Sequence, residues 1–122
     1  WKECFKLIKW AKRGRDLVIT ISGEFDLCMV PEFREKVDNL IDSNESAKRL
    51  VLDLKDVSFI DSSGLGAIMG RHKKMLTRGG ALAIQSPSHN AFKALISCGV
   101  DQIIEILEDQ DHDPRKSAKE VV

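Results

Sequence analysis

Residues 59–66 read FIDSSGLG, an acid, two adjacent hydroxyls and two glycines directly after an apolar run. Small hydroxyls set between a carboxylate and glycines are able to do four kinds of chemistry. Asp61 or Ser62 can cap a helix by accepting a hydrogen bond from a free backbone N–H, a contribution of about 1 kcal/mol. Either serine can act as a nucleophile, given a base within reach and an acid to orient that base. The glycines can cradle a phosphate. A serine can also receive a phosphoryl group, gaining about −1.5 to −2 charges and three acceptor oxygens.

Two of these fit the surrounding residues poorly. The stretch lacks the G-x-S-x-G turn of a serine hydrolase. His72 falls in the same predicted helix as the serines, and His89 and His112 stand in polar contexts, so no base is matched to them. Gly64, Gly66 and Gly70 space as G-x-G-x-x-x-G, one residue out of step with a dinucleotide fingerprint, and no G-K-[ST] follows. Such glycines suit close approach of a helix to a sheet or a partner. Capping and modification remain, and they are compatible. A helix N-terminus carries unpaired N–H groups and partial positive charge, so a phosphate on Ser62 alters the touched surface without unfolding the domain.

The positioning elements follow from periodicity. Residues 3–11 and 17–22 read as two strands of an antiparallel hairpin around KRGRD, the second rich in β-branched residues. Val30, Phe33, Val37, Leu40 and Ile41 form one helical stripe, with Pro31 suited to the first turn. RLVLDL at 49–54 reads as a strand covered on both faces. Residues 62–77 form a second helix with Leu65, Ile68, Met69, His72, Met75 and Leu76 at helical spacing, and Arg71, Lys73 and Lys74 near its C-terminal end to complement the dipole. ALAIQ at 81–85 is the next strand. Ser86 as N-cap, Pro87 at N1 and Gly99 past the end bound a third helix. IIEIL at 103–107 is a last, edge strand, and Pro114 opens a short C-terminal helix.

This order predicts one α/β domain over residues 1–122, with 112–122 as a C-terminal helix or tail. Its centre is a mixed, mostly parallel sheet of four to five strands with about four helices. Asp61 and Ser62 fall at the C-terminal edge of that sheet, where open α/β sheets place their sites. Met69, Met75 and Phe92 are assigned to packing. Lys73, Lys74 and Arg78 make a modest basic cluster, read as a solvated helix face or a match for an acidic groove on a partner.

Composition narrows the function classes. Lys plus Arg and Asp plus Glu both number 19, so no global field draws nucleic acid or an anionic membrane. Tyrosine is absent, which weakens any stacking surface for single strands. Cys4, Cys28 and Cys98 are far apart and odd in number, indicating neither a disulfide framework nor a zinc site, and buried, reduced thiols of a cytoplasmic protein are expected. No apolar run approaches the roughly 18 residues of a membrane span, and no metal or cofactor is called for. The start at Trp1, without an initiator methionine, fits a trimmed chain or an excised domain.

SFIDSSGLG at 58–66 and GEFD at 23–26, with LVLDLKDV, RGGALAI and SCGVDQIIEIL in order, resemble the STAS (sulfate transporter and anti-sigma factor antagonist) domain. The closer resemblance is to bacterial anti-sigma factor antagonists. It implies a regulator, not an enzyme, in which Ser62 is phosphorylated by an anti-sigma factor with serine kinase activity and restored by a serine phosphatase. ATP is then the kinase's ligand. The unmodified form would bind the anti-sigma factor and free a sigma factor for transcription. Asp26, Asp61, Ser62, Ser63, Gly64 and Leu65 would line the partner-binding face, with Ser63 the rival acceptor and Asp26 alternatively a cap for the first helix. The resemblance also admits a regulatory STAS domain excised from a membrane anion transporter or a larger sensor assembly.

Overall fold

In the computed structural model, which describes residues 6–107, strands β1 (Lys6–Arg13) and β2 (Asp16–Phe25) form the expected hairpin. Arg13 faces Asp16, so only Gly14 and Arg15 make the turn, and Gly14 takes a φ of 61° that glycine adopts without a Cβ penalty. The chain continues through α1 (Val30–Ser43), β3 (Arg49–Ile60), α2 (Ser62–Thr77), β4 (Ala81–Gln85), α3 (His89–Ser97), a 3-10 turn at Val100–Gln102, and β5 (Glu105–Leu107). The strands lie in the order β1-β2-β3-β4-β5, antiparallel for the first pair and parallel thereafter. This is the mixed, mostly parallel sheet expected, with three α-helices among the described residues. The helix expected from Pro114 onward lies outside those residues.

Strand register aligns the core. Leu17, Leu50 and Leu82 stand side by side across β2, β3 and β4, as do Ile19, Leu52 and Ile84. Phe33, Val37 and Ile41 of α1, Ile68 and Met75 of α2, and Ala91 and Leu95 of α3 close over this row as one apolar cluster. Full burial of one such large side chain stabilises by roughly 1.5–3 kcal/mol, so the row fixes both the register and the helix positions.

Several local expectations are corrected. The cap of α3 is Ser88, whose Oγ accepts from the Ala91 N–H at 3.1 Å while its hydroxyl donates to the Val57 carbonyl. Ser86 instead lies buried at φ 51°, where its N–H donates to the Leu107 carbonyl at 2.7 Å. The chain must cross from β4 to β3 before the helix starts, and Pro87 therefore precedes α3. Only Ala91 and Leu95 of that short helix face inward, which leaves Phe92 39% exposed. Cys28 and Cys98 are exposed, because one occupies the turn before α1 and the other the C-cap of α3. Cys28 is disulfide-bonded and Cys98 is a free thiol.

The basic residues of α2 are also redirected. Arg71 turns inward with Met75 on the buried stripe and places Nε 3.0 Å from Asp38 Oδ1 of α1. Lys74 pairs with Asp42 at 3.1 Å, and the Arg78 guanidinium donates to the carbonyls of Ile41 and Asn44. Lys74 and Arg78 thus tie α2 to α1 where a free basic face was expected. Burial holds the Arg71 guanidinium below its usual pKa; the nearby Asp38 opposes this and Arg34 adds to it. Nη1 of Arg71 is buried without a hydrogen-bond partner, and Nε meets Asp38 at ion-pair distance outside hydrogen-bond geometry. Removing one partner from a buried pair leaves an uncompensated charge, whereas an apolar replacement of both is often neutral. Asp38→Ala is therefore expected to cost about 2–3 kcal/mol in urea denaturation, and Asp38→Leu with Arg71→Met to recover most of it. Unchanged stability of the single variant would show that the pair contributes nothing.

Candidate functional site

The C-terminal ends of β2 and β3 finish level with one another. Phe25 pairs with Ile60 in parallel register, so Asp26 and Asp61 are each the next residue out along adjacent strands. The Phe25 carbonyl accepts the Asp61 N–H at 3.3 Å. Asp61 is extended (φ −103°, ψ −174°), and its Oδ1 accepts the Gly64 N–H at 3.0 Å while its carbonyl accepts the Leu65 N–H at 3.0 Å. It is the N-cap of α2, the geometry that an aspartate before a helix favours.

Asp26 organises the opposite side. Its Oδ1 accepts the N–H groups of Cys28 at 3.0 Å and Met29 at 3.3 Å, and its carbonyl accepts the Val30 N–H at 3.0 Å. These bonds fold the turn that delivers the chain to α1. The N-cap position itself is Met29, which has no side-chain cap, and Pro31 occupies the first turn. Asp26 therefore fixes the approach to the helix from three residues upstream. The carboxylates of Asp26 and Asp61 are brought to one edge, each anchored to its own backbone turn.

Ser62 is the first residue of α2 and is exposed, while Ser63 and Leu65 are half-buried and Gly64 is buried. A Cβ at Gly64 would collide with the Phe25 carbonyl oxygen and meet Ile60 Cγ2 at 3.0 Å and Phe25 Cγ at 3.2 Å. The first turn of α2 thus presses directly on the end of β2, and only glycine permits that approach. Gly66 and Gly70 have open space around the same position, so the close packing belongs to Gly64 alone of the three.

Two apolar side chains that helical periodicity had not singled out flank this edge. Leu27 follows Asp26 and is 70% exposed; Phe59, opposite Glu24 in the β2–β3 pair, is 49% exposed. Leu27 lies in a turn and Phe59 on the solvent side of a strand end, so neither contributes to a core stripe. Their adjacency to Asp26 and Asp61 in sequence was the available signal. Ser62 therefore starts α2 at a strand edge that also carries Asp26 and Asp61, with Glu24 one pair back along β2 and exposed apolar side chains nearby in sequence, a mixed face suited to a protein partner. Among the described residues no side chain is hydrogen-bonded to the Ser62 or Ser63 hydroxyl, no cluster of His, Cys, Asp and Glu could hold a metal, and no helix is long and apolar enough to cross a membrane.

The family model for the STAS domain matches residues 8–112. The anti-sigma-B factor antagonist of Bacillus subtilis (strain 168) is 35% identical over 91 residues, covering 75% of this chain and 81% of that protein. The solved structure of the anti-sigma factor antagonist SpoIIAA in its unphosphorylated form is 22% identical, with a TM-score of 0.73 over 90% of this chain and 96% of that one. The structure of the Bacillus cell fate determinant SpoIIAA in the phosphorylated form, also 22% identical, gives a TM-score of 0.67 over 90% and 99% of the two chains. Those two likenesses establish the shared fold.

The cap makes a direct prediction. Asp61→Ala is expected to lower unfolding stability by about 1 kcal/mol, while Asp61→Asn, which keeps an acceptor oxygen, loses only a small part of that. Chemical denaturation of both variants decides it, and an equal loss would show that the charge, and not the hydrogen bond to Gly64, matters at this position.

Proposed function

The chain belongs to the STAS domain family, and from that premise we propose that it is an anti-sigma factor antagonist switched at Ser62. The observation that carries this reading is an exposed hydroxyl on the first residue of a helix whose start is rigidly held, at an edge shared by Asp26 and Asp61. Unmodified, this face binds an anti-sigma factor with serine kinase activity, and the sigma factor held by that partner is released for transcription. The kinase transfers the terminal phosphoryl group of its own bound ATP to the Ser62 oxygen; the hydroxyl proton and ADP leave. A serine phosphatase restores the alcohol by hydrolysing the ester. This chain supplies the acceptor and carries out neither reaction.

Charge explains how the modification acts. At an exposed helix N-terminus a phosphate gains about 0.3–1 kcal/mol from the helix dipole, so the fold tolerates it. Within an interface the same group, beside the carboxylates of Asp26 and Asp61, must lose water among like charges. A loss of about 2.7 kcal/mol lowers affinity roughly 100-fold. The half-burial of Ser63 favours Ser62 as the acceptor. Gly64 sets the helix against β2, and Leu65 with Leu27 and Phe59 supplies apolar contact. The residues 1–122 act as one domain in the cytoplasm, where ATP-dependent kinases and sigma factors operate. The antagonist of Bacillus subtilis, of which this chain spans 81%, supports this reading over a regulatory domain from a membrane anion transporter.

Incubation with the cognate kinase and ATP is expected to add one phosphate, located at Ser62 by intact-mass measurement and peptide mapping. Phosphate on Ser63 alone would make the assignment wrong. Ser62→Ala is expected to retain binding to the anti-sigma factor, and Ser62→Asp to weaken it by up to roughly 100-fold with an unchanged circular-dichroism spectrum. A collapse of the folded signal in Ser62→Asp would mean that the charge acts by unfolding.

A further inference from the structure

The chain has three cysteines, Cys4, Cys28 and Cys98. Cys28 is disulfide-bonded and Cys98 is a free thiol, which leaves Cys4 as the partner. The bond joins the segment ahead of β1 to the turn between β2 and α1. It lies just outside the β1–β2 ladder, whose pairing runs from Lys6 opposite Gly23 to Arg13 opposite Asp16. Breaking it therefore removes no hydrogen bond of that ladder. The turn also stays anchored on both sides, because Phe25 and Met29 are core residues.

That turn belongs to the Ser62 edge. The Cys28 N–H donates to Asp26 Oδ1 at 3.0 Å, and the residue between them is the exposed Leu27. The α-carbons of a disulfide lie within about 7 Å of each other, so the bond tethers the segment that carries Trp1 and Phe5 to the turn of Asp26 and Leu27. Cys28 is exposed, so a thiolate can reach the bond, and exposed disulfides are the ones that exchange readily. In a compartment with a thiol pool, a disulfide that forms is more often redox-sensing than structural.

We propose that Cys4 and Cys28 form a reversible redox switch whose oxidised state obstructs the edge carrying Asp26 and Ser62. A low-molecular-mass disulfide is the oxidant: the two cysteine thiols pass two protons and two electrons to it, the Cys4–Cys28 bond forms, and the oxidant leaves as two thiols. A reducing dithiol reverses the exchange and leaves as a cyclic disulfide. The consequence for a partner rests on the function assigned to Ser62, whereas the bond and its hold on the turn do not.

The full chain is equilibrated with graded mixtures of oxidised and reduced glutathione, and its thiols are counted by alkylation and intact-mass measurement. One thiol, at Cys98, is expected in the oxidised form and three in the reduced form, with a linked Cys4–Cys28 peptide in the former alone. Hydrogen exchange of the Cys28 and Met29 amides is expected to quicken about tenfold on reduction, with an unchanged circular-dichroism spectrum. Cys4→Ser should match the reduced form under either condition, and Cys98→Ser should respond as the unsubstituted chain does. Phosphorylation by the cognate kinase is expected to be about tenfold slower for the oxidised chain. Three thiols under oxidising conditions, a bond to Cys98 or a disulfide-linked dimer overturns the proposal. Equal exchange in the two forms, or equal rates of phosphorylation at Ser62, also overturns it. Redox-dependent exchange in a chain that the kinase does not modify at Ser62 would support the switch and sink the function assigned to the edge.

Discussion

The carbonyl oxygen of Phe25 is the point on which the site turns. It accepts the Asp61 N–H, and its closeness to position 64 excludes any side chain there. One backbone atom thereby fixes the end of β2, the end of β3 and the first turn of α2 relative to one another. Buried backbone acceptors are seldom left unpaired, so the strand ends cannot separate without losing this bond. Two register shifts after the Leu17–Leu50 and Ile19–Leu52 pairs, between Thr20 and Ser22 and between Gly23 and Glu24, bring Phe25 opposite Ile60 and that carbonyl to the level of Asp61.

The anchoring and the display use different atoms of the same residues. Asp26 and Asp61 each use one carboxylate oxygen on backbone N–H groups, which locks their turns, and neither group is fully buried. Farther along α2, Arg71, Lys74 and Arg78 bind Asp38, Asp42 and the last carbonyls of α1. The helix is held at both ends. A charge added at its N-terminus meets a scaffold with little freedom to move, and its effect is confined to whatever approaches from outside.

Much of this was legible in the chain. Residues 62–77 and 81–85 have the observed bounds because apolar spacing and the RGG stop agree with the tertiary packing. Residue type left Asp61 and Ser62 both open as the cap, and the start of α2 at Ser62 decides for Asp61. Other features depend on contacts that no local pattern encodes. Arg71 turns inward because Asp38 of another helix receives it, whereas periodicity counts only apolar residues as buried. Ser86 and Ser88 are equally good caps by composition; the path from β4 back to β3 decides between them. β3 extends past Leu54 to Ile60 because β2 pairs with it through two register shifts, which the charges at Lys55 and Asp56 obscure in the sequence. The meeting of Asp26 with Asp61 came from the family resemblance, since their separation of 35 positions carries no local signal.

A hydroxyl at a helix start suits a reversible switch because the two environments of its phosphate differ in sign. Toward the protein, the group faces the unpaired N–H ends of α2, and the balance is mildly favourable. In the proposed interface it would lose water beside two fixed carboxylates, and the balance would be unfavourable by more. A phosphate one residue later would have to enter a half-buried position, where its desolvation falls on the folded chain itself. The exposure of Ser62 and the partial burial of Ser63 therefore separate a modification that edits an interface from one that would strain the domain. That separation goes with Gly64: α2 starts hard against β2, with its first residue exposed and its second half-buried.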